Sequence, residues 1–161
     1  MIRVEITGSQ ALQDKIKRLP KKVKDDLLVK VYTLTLLLEA HIKQDKLSGQ
    51  VLHVVSGRLK RSIQSKVSQT PTTTTGIVYS AGNVPYAAIQ EFGGTTAPHL
   101  IAPVKAQALA FMMNGKMVFA KLVHHPGSVI PERSYMRSGL DDMKQQIVRE
   151  MTDAVRKASQ I

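Results

Sequence analysis

Residues 12–42, LQDKIKRLPKKVKDDLLVKVYTLTLLLEAHI, decide the fold. Their apolar positions fall at Leu12, Ile16, Leu19, Val23, Leu27, Val31, Leu34, Leu38 and Ile42, in steps of four and three residues. That spacing draws one stripe along an α-helix. Pro20 interrupts the stripe, because it lacks an amide donor and restrains Leu19. The pattern predicts a short helix near residues 10–18 and a long helix over about 20–46, with Pro20 suited to its first turn. Leu28, Leu36 and Leu37 widen the apolar face, which implies that the long helix packs against a second layer or a second subunit. Lys21, Lys22 and Lys24 crowd its N-terminal end, where the helix dipole disfavours each cation by roughly a few tenths of a kcal/mol. An anionic partner would relieve that cost.

Working outward, residues 1–7 alternate apolar and polar (Ile2, Val4, Ile6), the period of a strand with one buried face. Beyond the helix, Leu47-Ser48-Gly49-Gln50 stops it, and Ser56 is placed to cap a short helix over 57–62. A mostly polar strand is expected at 62–70, a Thr-rich turn at 70–76 and a second strand at 77–81, together a hairpin. Residues 84–92 read as one or two helical turns opened by Pro85 and closed by Gly93-Gly94. Residues 106–113 and 116–123 flank Asn114-Gly115, the pair that a tight primed turn favours, so they form a second hairpin. A final helix is marked by Met136, Leu140, Met143, Ile147, Met151, Val155 and Ala158. The sum is an α+β fold: a mainly antiparallel sheet of four to five strands flanked by a long N-terminal helix and a C-terminal helix. It is expected as a single domain over 1–161, with flexible loops at about 70–76, 92–105 and 124–131.

Composition narrows the function. The chain has 161 residues with 23 Lys+Arg against 12 Asp+Glu, a formal charge of +11, and no cysteine. Disulfides, thiolate metal sites and cysteine nucleophiles are excluded, and a reducing cytoplasm suits such a chain. No apolar run approaches the roughly 18–20 residues that span a bilayer, and no basic segment leads into an apolar one at the start, so no membrane partner is expected. Residues 1–66 hold 14 basic and 6 acidic side chains, so the excess lies in the N-terminal part. It permits contact with nucleic acid, an anionic surface or an acidic protein, although a solvated helix face accounts for it as well.

Catalytic and cofactor patterns are missing: no phosphate loop, no Gly-x-Gly-x-x-Gly, no His-Glu-x-x-His and no Gly-x-Ser-x-Gly. His124-His125 reads as a His-Pro-Gly turn rather than a metal site, with Glu132 the next carboxylate. Glu91 reads as a helix-end carboxylate or an ion-pair partner. No catalytic, cofactor or metal residue is expected, and a hydrolase or metal enzyme using His124, His125 and Glu132 is the least supported reading. Arg58-Leu59-Lys60-Arg61 is a basic cluster able to touch phosphates, or a short amphipathic helix with Leu59 and Ile63 facing inward. With Lys21, Lys22 and Lys24, residues Arg58, Lys60 and Arg61 are the candidate contacts to an anionic partner. Aromatic residues make up 4% of the chain, too few to suggest base stacking.

Three segments carry a resemblance. Ser56-Gly57-Arg58-Leu59-Lys60-Arg61-Ser62-Ile63, Val84-Pro85-Tyr86-Ala87-Ala88-Ile89-Gln90-Glu91-Phe92-Gly93 and Ile130-Pro131-Glu132-Arg133-Ser134-Tyr135-Met136-Arg137 resemble, in order and spacing, three elements of the tail-completion and neck (virion morphogenesis) proteins of tailed bacteriophages. Glu132 and Ser134 depart from the small residue and second proline of the last element, and Tyr135-Met136 replaces its Phe-Leu. The resemblance implies a virion structural protein, not an enzyme, that joins head to tail. It would be made in the bacterial host cytoplasm and sit in the tail or neck as a homo-oligomeric ring, hexameric by the resemblance. Its partners would be the tail tube or tail terminator and head connector or neck proteins, with non-specific contact to phage DNA. The motif residues are Gly57, Arg58, Leu59, Ser62, Ile63, Tyr86, Glu91, Phe92, Gly93, Pro131, Arg133 and Met136. In physical terms Gly57, Gly93 and Pro131 would shape turns, Tyr86 and Phe92 would pack the short helix onto the sheet, and Glu91 and Arg58 are candidate ion-pair partners. The alternative is a basic nucleic-acid-binding protein with sequence-independent phosphate contacts.

Overall fold

A computed structural model describes residues 3–5 and 21–158. The helix expected near 10–18 and the side chain of Lys22 lie outside the described residues. The long helix α1 spans Lys21–His41 and then widens into π-turns over Ile42–Gln50, within which Ser48 and Gly49 leave helical φ/ψ. The apolar stripe behaves as the spacing predicts: Val23, Leu27, Leu34, Leu38 and Ile42 are buried. Of the residues that widened it, Leu28 is half-buried, while Leu36 and Leu37 stay exposed.

The chain is α+β. Strand β1 (Arg3–Glu5) pairs antiparallel with β3 (Thr74–Ser80), which pairs antiparallel with β2 (Ile63–Gln69), giving the order β1-β3-β2. The short helix α2 (Arg58–Ser62) leads directly into β2. Helix α3 covers Ala87–Phe92, and the last helix, α4, covers Met136–Ala158. Helix α1 packs on β2, β3 and α4. The core between them joins Leu38 and Ile42 of α1, Ile63 and Val78 of the sheet, and Met136, Met143 and Ile147 of α4. Gly76 lies where α1 crosses β3. A Cβ there would stand 2.0 Å from Thr35 Oγ1, so a glycine lets the helix approach the strand.

Two expectations need correction. Among the described residues the main sheet has three strands rather than four to five, because the second hairpin does not join it. Strands β4 (Gly94–Thr95), β5 (His99–Ile101), β6 (Leu109–Met113), β7 (Lys116–Ala120), β8 (Val123–His125) and β9 (Val129–Ile130) pair as β4·β9, β5·β8 and β6·β7. These nested antiparallel pairs make one two-stranded arm from Gly94 to Ile130, and its strands pack chiefly on one another. The loops expected at 92–105 and 124–131 are therefore the two sides of its base. Their short runs of Gly, Pro and polar residues read as loop because each side holds only two or three paired residues at a time. At the tip, Asn114 (φ 52°) and Gly115 (φ 76°) both adopt the positive φ of a primed turn, as expected. The Thr-rich turn is likewise shorter than 70–76: Thr74–Gly76 belong to β3, and Thr70 closes the turn by donating its N–H to Thr73 O at 2.7 Å.

Candidate functional site

The second and third motif segments meet in space around Glu91, and the first shares a cavity with them. Helix α4 begins without an acidic residue in its first turn, so its free N–H groups and positive dipole end require an acceptor from elsewhere. Glu91, fully buried on α3, supplies it. Its carboxylate accepts the backbone N–H of Tyr135 (2.7 Å), Met136 (2.8 Å) and Arg137 (3.0 Å), and the hydroxyl of Ser134 (3.0 Å). Arg137 adds a charged bond from Nε at 3.3 Å, reaches Glu132 at 2.5 Å, and lies over the Phe92 ring at 5.1 Å. A buried carboxylate is costly unless bonded in this way; here charge-assisted donors surround it.

The neighbours complete the latch. Tyr135 is fully buried and donates its hydroxyl to Ala87 O at 3.3 Å. Burial first, then the Glu91 carboxylate and Tyr86, push that hydroxyl above its ordinary range, so it remains a donor. Arg133 donates its N–H to Gln90 O at 2.8 Å. Gly93 has φ 69°, and a Cβ there would meet Glu132 N at 2.8 Å, so this turn has room only for glycine. Pro131, itself exposed, stands beside that contact.

The first motif meets parts of the other two at a cavity. A cavity of about 730 Å³ is lined by residues of all three motifs, among them Arg58, Leu59, Tyr86, Gln90 and Arg133, and by Val51 from the preceding loop. Gln90 Oε1 is buried there without a hydrogen-bond partner among the described residues. Ser56 and His53 also line it, and no hydrogen bond joins the two. Gly57 precedes α2 with φ 70°, and Ser56 Oγ accepts the Arg58 N–H at a long 3.4 Å. Ser62 ties α2 to the sheet, donating to Leu59 O at 2.7 Å and bonding Ser80 Oγ at 2.9 Å. Leu59 packs on the core, while Ile63 and Met136 lie within it.

Several expected roles are different in the structure. Glu91 pairs with Arg137, not Arg58; the Arg58 guanidinium instead donates to Asn83 O. Tyr86 and Phe92 do not seal α3 onto the sheet: both are exposed, and Ala87 and Glu91 are the buried residues of that helix. An i to i+4 relation puts those two on one inward face and turns Phe92 away from it. Of the basic residues, Lys60 donates to Ser48 Oγ at 2.7 Å, while Lys21, Arg58 and Arg61 are exposed. His124 and His125 sit on β8, not in a turn, and His125 stacks on His99 at 4.9 Å. Among the described residues no group of three or more His, Cys, Asp or Glu is arranged to hold a metal ion, and no helix is long and apolar enough to cross a membrane.

A second polar cluster links α1 to α4. Lys46 is buried and pairs with Asp142 at 2.6 Å, while His41 lies between Asp45 (2.6 Å) and Asp142 (3.0 Å). The bond from Lys46, followed by that from His41, holds the Asp142 carboxyl below its ordinary range. Comparison of the chain with protein-family models, curated proteins and solved structures gave no match.

Proposed function

We propose that this chain is a virion structural protein of a tailed bacteriophage, acting in tail completion and head–tail joining as a ring of identical subunits. The observation that carries this reading is that two of the three motif segments form one latch and all three line one cavity. Residues that resemble a single family in sequence are thereby brought together, two segments fixing α3 and the start of α4 against each other and the third closing the cavity beside them. The arm and the outer face of α1 supply two different apolar patches, as a head-to-tail ring requires. Chemistry enters only as binding, and no catalytic step is assigned.

The test is electron microscopy of the purified protein, followed by its addition to phage tails that lack a head-proximal cap. Rings that bind one tail end are the expected outcome; a monomer without affinity for tails would contradict the proposal. The nucleic-acid reading receives less support, since Arg58 and Lys60 already bond oxygens of their own chain. It requires binding to mixed-sequence DNA at about 50 mM salt that falls steeply as salt rises.

A further inference from the structure

We propose that the tip of the arm, β6 and β7, lies along the outer face of α1 of a neighbouring copy of the chain. This deepens the ring reading above and rests on it. The arm is apolar on both faces. Ala110 opposite Phe119 and Met112 opposite Met117 line one; Leu109 opposite Ala120 and Phe111 opposite Val118 line the other. Phe119 is 70% exposed, Met112 62% and Met117 57%. A two-stranded ribbon is marginal in water by itself and leaves such residues in need of a cover.

The α1 face matches it in three respects. From Asp25 to Ala40 the exposed residues are Asp25, Asp26, Val29, Tyr32, Thr33, Leu36 and Leu37, an apolar stripe headed by two acids and without an exposed cation. The arm from Gly94 to Ile130 has no acidic residue and carries Lys105, Lys116 and Lys121. The charges are thus complementary from Asp25 onward, with the exposed Lys21 one helical turn beyond the acids. Length is comparable as well: five residue pairs of ribbon extend about 17 Å, and the helix from Asp25 to Leu37 extends about 20 Å. Lys116, next to the turn, shares the Phe111 face, and its long side chain has to reach round the end of the ribbon; it sets the direction, with the tip towards Asp25 and Asp26 and with Met117 beside Val29. The two patches differ, so each copy both gives an arm and receives one.

The absence of cysteine makes a clean test possible. Purified Met117→Cys and Val29→Cys chains, each altered at an exposed position, are mixed and mildly oxidised, and the mass of the uncrosslinked protein is measured in parallel. The expected result is a mixed disulfide several-fold more abundant than either self-crosslink. Asp25→Lys with Asp26→Lys should abolish it, and Lys116→Glu in the arm-donating chain should restore it. Oligomers that form without the mixed crosslink, or with Met117→Cys linked only to itself, would overturn this interface and leave the ring reading standing. A chain that stays monomeric would overturn both.

Discussion

The body of the protein and its arm are both rich in apolar side chains, but they dispose of them differently. In the body, α1, α4 and the three-stranded sheet bury Ile42, Ile63, Val78 and Met136 to 1% exposure or less, and the buried carboxylate of Glu91 is fully bonded. In the arm, Phe119, Met112 and Val129 remain more than half exposed, although they belong to paired strands. The body closes on itself because its two helices offer a third dimension in which to pack. The arm is one ribbon thick and has no second layer within its own chain. Its apolar residues therefore contribute little to the stability of the single chain and remain available to another molecule.

The largest effect should come from removing the latch. Glu91→Ala leaves the N–H groups of Tyr135, Met136 and Arg137 unpaired in a buried place, and a loss of about 3–5 kcal/mol is expected in urea denaturation. A loss close to zero would mean that α4 does not depend on Glu91. Next is Gly76→Ala, which drives a Cβ into Thr35 and should cost about 1–3 kcal/mol through overpacking of α1 against β3.

Acid should act on the body through Glu39 and Asp142. Burial raises the Glu39 carboxyl, but bonds from Lys43 and Ser65 and the Lys43 charge outweigh it, so both carboxyls are held below their ordinary values of 4.5 and 3.8. A lowered folded value means that the ionised group stabilises the fold. The contribution is complete above those ordinary values and is lost as pH falls through the lowered ones. Thermal melts from neutral pH downward should show that loss, and Asp142→Asn should flatten it. The smallest effect on stability belongs to the arm: Met112→Lys with Met117→Lys should change the unfolding free energy of the single chain, measured at concentrations where the wild type is dissociated, by no more than about 0.5 kcal/mol. The same pair should sharply reduce self-association measured by light scattering. A large stability loss instead would make the arm part of the core and erase the contrast.

The long helices were legible because Val23 to Ile42 and Met136 to Ile147 repeat at helical spacing over many turns, and the arm tip because Asn114-Gly115 admits few alternatives. The base of the arm was not legible: Thr95 and Val129 lie far apart in sequence, and neither side alternates long enough to signal a strand. Glu91 drew attention as a helix-end carboxylate, but the helix it serves begins 45 residues later at Met136. The available hint was chemical. Helix α4 lacks an acid in its first turn, and only Glu91 and Glu132 are present between residues 67 and 136. Gly76, read as part of a turn, proved to be a point of contact between strand and helix, a relation that no local pattern encodes.

The central claim is that the fold leaves the arm uncovered so that further copies of the chain can cover it. Native mass spectrometry of the purified protein tests it most directly. The expected result is a single closed oligomer, hexameric if the family resemblance holds, which dissociates to monomers on Met112→Lys with Met117→Lys. A wild-type chain that remains a monomer at every concentration, or an oligomer indifferent to those substitutions, would contradict it.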